Sequence, residues 1–161
     1  MRMKKTYAII AFACLVIAAC SDQRYEYFGN GIEVKQSIEA KQGWIPDWFP
    51  MTAKEIHVQY DVDTNCRWFR FKLDKETQKA FIMDFRLLSW NEAKNIKVSA
   101  PRSAEWWLKG LSQAQPADDT PFNVDIYLRN QDTMPEKAYL VISKTDDSVF
   151  LWIENGSVQQ R

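Results

Sequence analysis

The sequence predicts an α+β fold: an antiparallel sheet of about five strands joined as hairpins, with two helices packed on one face. Three observations lead there. Several short segments alternate apolar and polar residues with the period of two that a half-buried strand requires, most regularly Phe122, Val124, Ile126 and Leu128 against Asn123, Asp125, Tyr127 and Arg129. Aspartate, asparagine and serine separate some of these segments at hairpin spacing, and such short polar side chains bond their own backbone in turns. Phe81, Ile82, Phe85 and Leu88 recur at three- and four-residue intervals, which makes one apolar stripe on a helix.

Taken in order, residues 20–43 predict a linker and residues 44–161 a single domain. The stretch 21–43 is polar, carries Gly29, Gly31 and Gly43, and sustains no apolar period. Tyr25, Tyr27 and Phe28 depart from that pattern; they suit either a bilayer interface or the cover of a domain edge. Next comes Gly43-Trp-Ile-Pro-Asp-Trp-Phe-Pro50. Pro46 opens a helical turn and Pro50 keeps Phe49 out of the helical region, so at most one turn forms and Trp44, Ile45, Trp48 and Phe49 gather with little freedom. They read either as a hydrophobic plug or as a docking patch for a partner, and they are the candidate partner-binding residues.

Ile56, Val58 and Tyr60, then Phe69, Phe71 and Leu73, predict a hairpin around Asp61-Val-Asp-Thr-Asn65. That turn opens like a calcium loop, but Cys66 and Lys72 stand where the loop needs Gly and Glu, and a plain hairpin turn accounts for it. Asp74 caps a helix from Lys75 to about Trp90. Residues 95–99 suggest a short strand. Ser103 caps a second helix over 104–112, where the adjacent Trp106 and Trp107 must diverge, leaving one partly exposed. A loop over 113–121 precedes the strand at 122–128, and two further strands, 138–142 and 149–153, flank the turn Thr145-Asp-Asp-Ser148.

Chemistry is mostly excluded. His57 is the single histidine, so no multi-histidine zinc site can be built. There is no Gly-x-Ser-x-Gly elbow, glycine-rich phosphate loop or Cys-x-x-Cys pair. Asp118-Asp119 and Asp146-Asp147 stand in turn contexts as solvated carboxylates. No catalytic residue, cofactor or metal ligand is therefore expected, and the residual enzyme reading is a hydrolase with His57 as base.

The N-terminus carries the most specific signal. Arg2, Lys4 and Lys5 precede 13 apolar residues, Tyr7 to Ala19, too few to span a bilayer and fitting a secretory core. This run ends Ile17-Ala18-Ala19-Cys20 and resembles the lipobox of bacterial lipoproteins. The resemblance implies that residues 1–19 are a signal peptide that is removed, and that Cys20 is lipidated and anchors residues 20–43 to the membrane. Enteric lipoproteins kept in the inner membrane have Asp after that cysteine; Ser21 here implies the outer membrane, facing the periplasm. Removal of residues 1–19 leaves 18 basic against 21 acidic residues, a balance unsuited to nucleic acid. It also leaves Cys66 as the one thiol, read as a small core or strand residue. Residues 43–56 and 61–65 resemble a group of uncharacterised small proteobacterial lipoproteins and secreted proteins, which implies a shared fold and no particular activity. The function expected is that of a lipid-anchored, non-enzymatic module that binds another envelope protein, of the assembly, exclusion or immunity type. The alternative is a module for peptidoglycan or other glycan, stacking sugars on some of the seven tryptophans.

Overall fold

Alternation at Ile56, Val58 and Tyr60 and again at Phe69 and Phe71 makes the hairpin expected from the sequence, and the rest of the sheet is built outward from it. The computed structural model describes residues 22–94, 96, 100–108, 125–130, 136–143 and 146–155. Within them, β1 (Gln23–Asn30), β2 (Lys54–Asp61), β3 (Cys66–Lys72), β4 (Phe85–Leu87), β5 (Ile126–Arg129), β6 (Glu136–Ile142) and β7 (Ser148–Asn155) form one sheet. Their order is β1-β2-β3-β7-β6-β5-β4, and each neighbouring pair is antiparallel. The helices are short: α1 (Gly31–Gln36), α2 (Ile38–Lys41), α3 (Lys75–Ile82) and α4 (Trp90–Ala93). None of the described helices is long and apolar enough to cross a membrane.

The expectation of about five strands with two helices on one face is thus corrected to a seven-stranded antiparallel sheet with few, short helices. The linker expected at 20–43 is corrected as well, since β1, α1 and α2 occupy 23–41. β1 escapes a hydrophobicity reading because it is an edge strand, exposed along most of its length, and an edge in water needs no apolar face. The long helix fails at its middle. α3 ends at Ile82, and Phe85, four residues after Phe81, enters β4; the same spacing serves a helix end followed by a strand that returns to the sheet. Residues 104–108 form turns rather than the start of a helix, and the rest of that expected helix, the loop at 113–121, residues 122–124, nearly all of 95–99 and the lipobox lie outside the described residues.

Capping sets the joints. Asn30 Oδ1 accepts from the Ile32 and Glu33 N–H groups at 3.0 and 3.1 Å, while Glu33 reaches back to accept from the Gly29 N–H at 2.8 Å and the Asn30 side-chain amide at 2.7 Å, an N-cap that turns β1 into α1. Gly31 lies so close to the backbone of Met51 that a Cβ would stand 2.5 Å from its carbonyl oxygen. Asp74 caps α3 as expected, accepting from the Thr77 N–H at 2.9 Å. In the β2–β3 turn, Asp61 Oδ1 accepts from the Asp63 and Thr64 N–H groups at 3.1 and 3.0 Å, and Asn65 takes the left-handed conformation asparagine tolerates (φ 56°).

Period-two alternation then splits the core across the sheet. One face presents Ile56, Val58, Tyr60, Phe69, Phe71, Leu140, Val149, Leu151 and Ile153, covered by α1, α2, the segment 44–49 and α3. The opposite face presents Trp68, Ile126, Tyr139, Val141, Phe150 and Trp152, covered by Leu88, Ala93 and Trp107. Segments on both sides bury the central strands, which is why β7 is buried from Ser148 to Ile153.

Candidate functional site

The segment proposed for docking from its sequence faces inward. Pro46 and Pro50 do set a single turn, with the Phe49 N–H bonding the Pro46 carbonyl at 3.0 Å, and that turn aims its rings at the sheet. Ile45 and Phe49 are buried, Phe49 edge-on to Phe71 at 5.0 Å. Trp44 stacks on Tyr60 at 4.5 Å, and Trp48 packs against Phe81 and Phe85 with the Arg129 guanidinium 4.0 Å over its ring. Of the two readings of Trp44, Ile45, Trp48 and Phe49, this packing is that of the plug, with Ile45 and Phe49 buried and Trp44 and Trp48 half-buried against the core: apolar rings fixed beside a strand of alternating apolar residues gain more from burial than from water.

A different set of rings comes together on the opposite face, over β1 and β2. Tyr27 stands directly across from His57 in the ladder and Tyr25 diagonally from it. The Tyr27 and His57 rings meet edge to face at 5.1 Å, and Tyr25 Oη lies 2.9 Å from His57 Nδ1. Trp106, from the 100–108 segment, stacks on the other side of the imidazole at 5.5 Å and 19°. Tyr25 and Tyr27 are 49% and 53% exposed, whereas His57 and Trp106 are half-buried. This is the divergence of adjacent tryptophans that the sequence demands. Trp107 is buried edge-on to Phe150 and Trp152, and Trp106 is left at the surface.

Polar contacts hold the cluster in place. Gln59 Nε2 donates to the Arg102 carbonyl at 2.9 Å and to Gln23 Oε1 at 2.8 Å, and the Arg102 N–H donates to the same Gln23 oxygen at 2.9 Å, so the segment bearing Trp106 is tied to both β1 and β2. A charged rim lies beside the rings. Arg70, across the ladder from His57, bonds Asp146 Oδ2 at 3.3 Å and Ser148 Oγ at 3.2 Å, and Lys72 pairs with Glu55 at 2.6 Å. Burial, and next the positive charge of Arg70, push the imidazole of His57 below its ordinary pKa, with Glu55 opposing. Burial, then Tyr27 and Glu26, push the phenol of Tyr25 up. Both groups are therefore neutral at pH 7, and with the imidazole proton on Nε2 the phenol donates to Nδ1.

A nucleophile-activating base needs a serine hydroxyl or a thiol to deprotonate, whereas His57 is engaged by a phenol and packed between rings. Among the described residues no three metal-ligating side chains stand together. Cys66 is a half-buried thiol at the start of β3. What the arrangement offers is a rigid, neutral aromatic surface with polar tips and a charged rim, the composition of a recognition patch. Sequence reasoning singled out each member separately but not their meeting, because strand register joins 25 and 27 to 57, and Trp106 reaches them only through the side-chain bonds that hold its segment at Arg102. The signal available was the alternation of Tyr25 and Tyr27 with Arg24 and Glu26, followed by Asn30-x-x-Glu33, a strand leading into a capped helix.

Residues 22–72, from just before β1 to the end of β3, match the family model of the YbbD head domain. The match takes in Tyr25, Tyr27 and His57 and stops before Trp106. No curated protein and no solved structure matches the chain.

Proposed function

We propose that this chain is a lipid-anchored protein of the bacterial envelope, held through Cys20 at the outer membrane facing the periplasm, whose domain performs no catalysis and docks another envelope protein through Tyr25, Tyr27, His57 and Trp106. The observation that carries the reading is the four-ring cluster, two of whose members are about half exposed while their neighbours fix them in place. Rings already ordered lose little entropy on binding, and exposed aromatic anchors inside a charged rim are what protein hot spots are made of. Position adds support. β1 begins at Gln23, three residues after Cys20, so a lipid on that cysteine keeps the start of the domain within roughly 10 Å of the anchored residue, close against the membrane surface.

Photocrosslinking in intact cells tests this, with the photoreactive residue at Tyr27 and, as the interior control, at Phe49. A discrete adduct to one envelope protein from position 27 and only intramolecular products from position 49 support the docking reading. Crosslinks from position 27 to peptidoglycan or lipid alone overturn it, as does an equal yield of partner from both positions.

A further inference from the structure

We propose that two copies of this chain pair through the outer edges of β1, antiparallel and centred on Tyr25, joining two seven-stranded sheets into one. β1 is the first strand in the sheet order, and among the described residues no strand pairs with its outer side. The Val62 N–H bonds the Asp22 carbonyl at 3.3 Å, which fixes the alternation of the β1–β2 ladder. Arg24, Glu26 and Phe28 direct their backbone groups to β2, and Gln23, Tyr25 and Tyr27 direct theirs outward. The next outward N–H, that of Gly29, is taken by Glu33 at 2.8 Å, which closes one end of the edge and leaves the stretch 23–27 open among the described residues.

Sequence and geometry agree on one register. With Tyr25 opposite Tyr25 of the second copy, Gln23 faces Tyr27, and the three outward residues exchange six backbone hydrogen bonds. Arg24 then faces Glu26 at both non-hydrogen-bonded sites, where side chains approach most closely. Both side chains are exposed, Arg24 lying beside the Tyr60 hydroxyl. Centring the pair on residue 24 sets arginine against arginine, centring it on 26 sets glutamate against glutamate, and centring it on 27 calls on the Gly29 backbone already bonded to Glu33. Like charges directly opposite one another are destabilising, so the charge pattern selects the register centred on Tyr25. The pairing sets Tyr25 beside its counterpart on one face and joins the two ring clusters across the dyad. It needs no third partner, and so stands or falls apart from the docking reading.

Disulfide trapping of the full chain in its membrane tests the register, in a Cys66→Ser background. Residues opposite one another in a hydrogen-bonded pair have Cα atoms about 5.5 Å apart, within reach of a disulfide. Tyr25→Cys is expected to form a covalent dimer readily under mild oxidation, whereas Tyr27→Cys and the exposed Met83→Cys do not. Independently, Arg24→Glu is expected to weaken self-association about tenfold or more, and Arg24→Glu combined with Glu26→Arg to restore it. Equal trapping at 25, 27 and 83 overturns the proposal, and so does a charge swap that fails to restore a dimer lost in the single variant.

Discussion

Tyr25 Oη sits 2.9 Å from His57 Nδ1, diagonally across the β1–β2 ladder, and Trp106 lies flat on the same imidazole. An edge strand, an interior strand and a distant loop are thereby locked at one point.

The exposed members of that cluster separate stability from recognition. Tyr27 is 53% exposed and meets His57 only at its edge, so Tyr27→Ala is expected to shift folding stability by less than about 1 kcal/mol. On the proposed docking reading, the same change is expected to reduce capture of the partner about tenfold or more, since truncated aromatic anchors cost binding at least that much. Quantitative crosslinking beside a denaturant melt of the same variant checks both halves.

Acid acts on the same point through His57. Its pKa in the fold is depressed, by burial first and Arg70 second, below the value of about 6.5 that it has in the unfolded chain. Between those two values the unfolded state binds more protons, so stability falls as pH drops from about 6.5, and the loss is complete below the folded pKa. Protonation also makes Nδ1 a donor, forcing the Tyr25 hydroxyl to accept. Asp61, Asp74 and Asp146, whose values are lowered, give up their contributions only further into acid. Burial pushes the carboxyl of Glu154 up, which acts in the opposite direction, so urea midpoints measured from pH 8 to 5 are expected to decline more steeply toward acid for the native chain than for His57→Gln.

What the sequence reveals of this molecule follows from how local each signal is. The hairpin around Asp61, the cap at Asp74 and the inward strands of β6 and β7 need only neighbouring residues to be recognised, and each is present. β1 is not recognisable that way. Its partner β2 lies some thirty residues on, and with both faces near solvent its composition matches that of a linker. The break after Ile82 is hidden by Phe81 and Phe85, whose spacing suits a continuous helix. A local signal for the break does exist in Ser89-x-x-Glu92, where Glu92 bonds the Ser89 N–H at 3.0 Å and its hydroxyl at 2.8 Å and starts a new helix. The Ser89 bonds, helped by Arg86, hold that carboxyl at about 2. The aromatic segment 44–49 had two readings of equal chemistry, and only the apolar face of β2 and β3 beneath it decides between them.

That decision predicts a large cost for Phe49. The ring is 2% exposed and touches Phe69 and Phe71, so Phe49→Ala leaves a cavity in the centre of one core and is expected to cost about 3–5 kcal/mol. Gly31→Ala is expected to cost about 1–3 kcal/mol by another route, because a methyl group meets the Met51 backbone and one of the two chains must move. A denaturation midpoint for Phe49→Ala no lower than that for Tyr27→Ala would show that the plug is not core.

Two ion pairs on the sheet test how burial sets the worth of a charge. Arg67 is buried, donates to the Gly43 carbonyl at 3.2 Å and pairs with Glu136, whose side chain is 30% exposed. Glu136→Ala strands the guanidinium away from water and is expected to cost about 2–4 kcal/mol, the partial exposure of the carboxylate moderating the loss. Lys72 and Glu55 are 40% and 54% exposed, so their contact contributes under about 1 kcal/mol and is screened by salt. Glu55 also sits at φ 49° where the β2–β3 register shifts, a left-handed conformation that glycine adopts without strain and glutamate does not. Glu55→Gly therefore loses a weak pair and relieves the backbone, and its net effect on the denaturation midpoint is expected to be near zero or stabilising. The ordering of the two variants, measured at low and at 0.5 M salt (roughly a threefold change in screening length from 0.05 M), is the decisive observation: Glu136→Ala stays costly at both, while any loss in Glu55→Gly fades as salt rises.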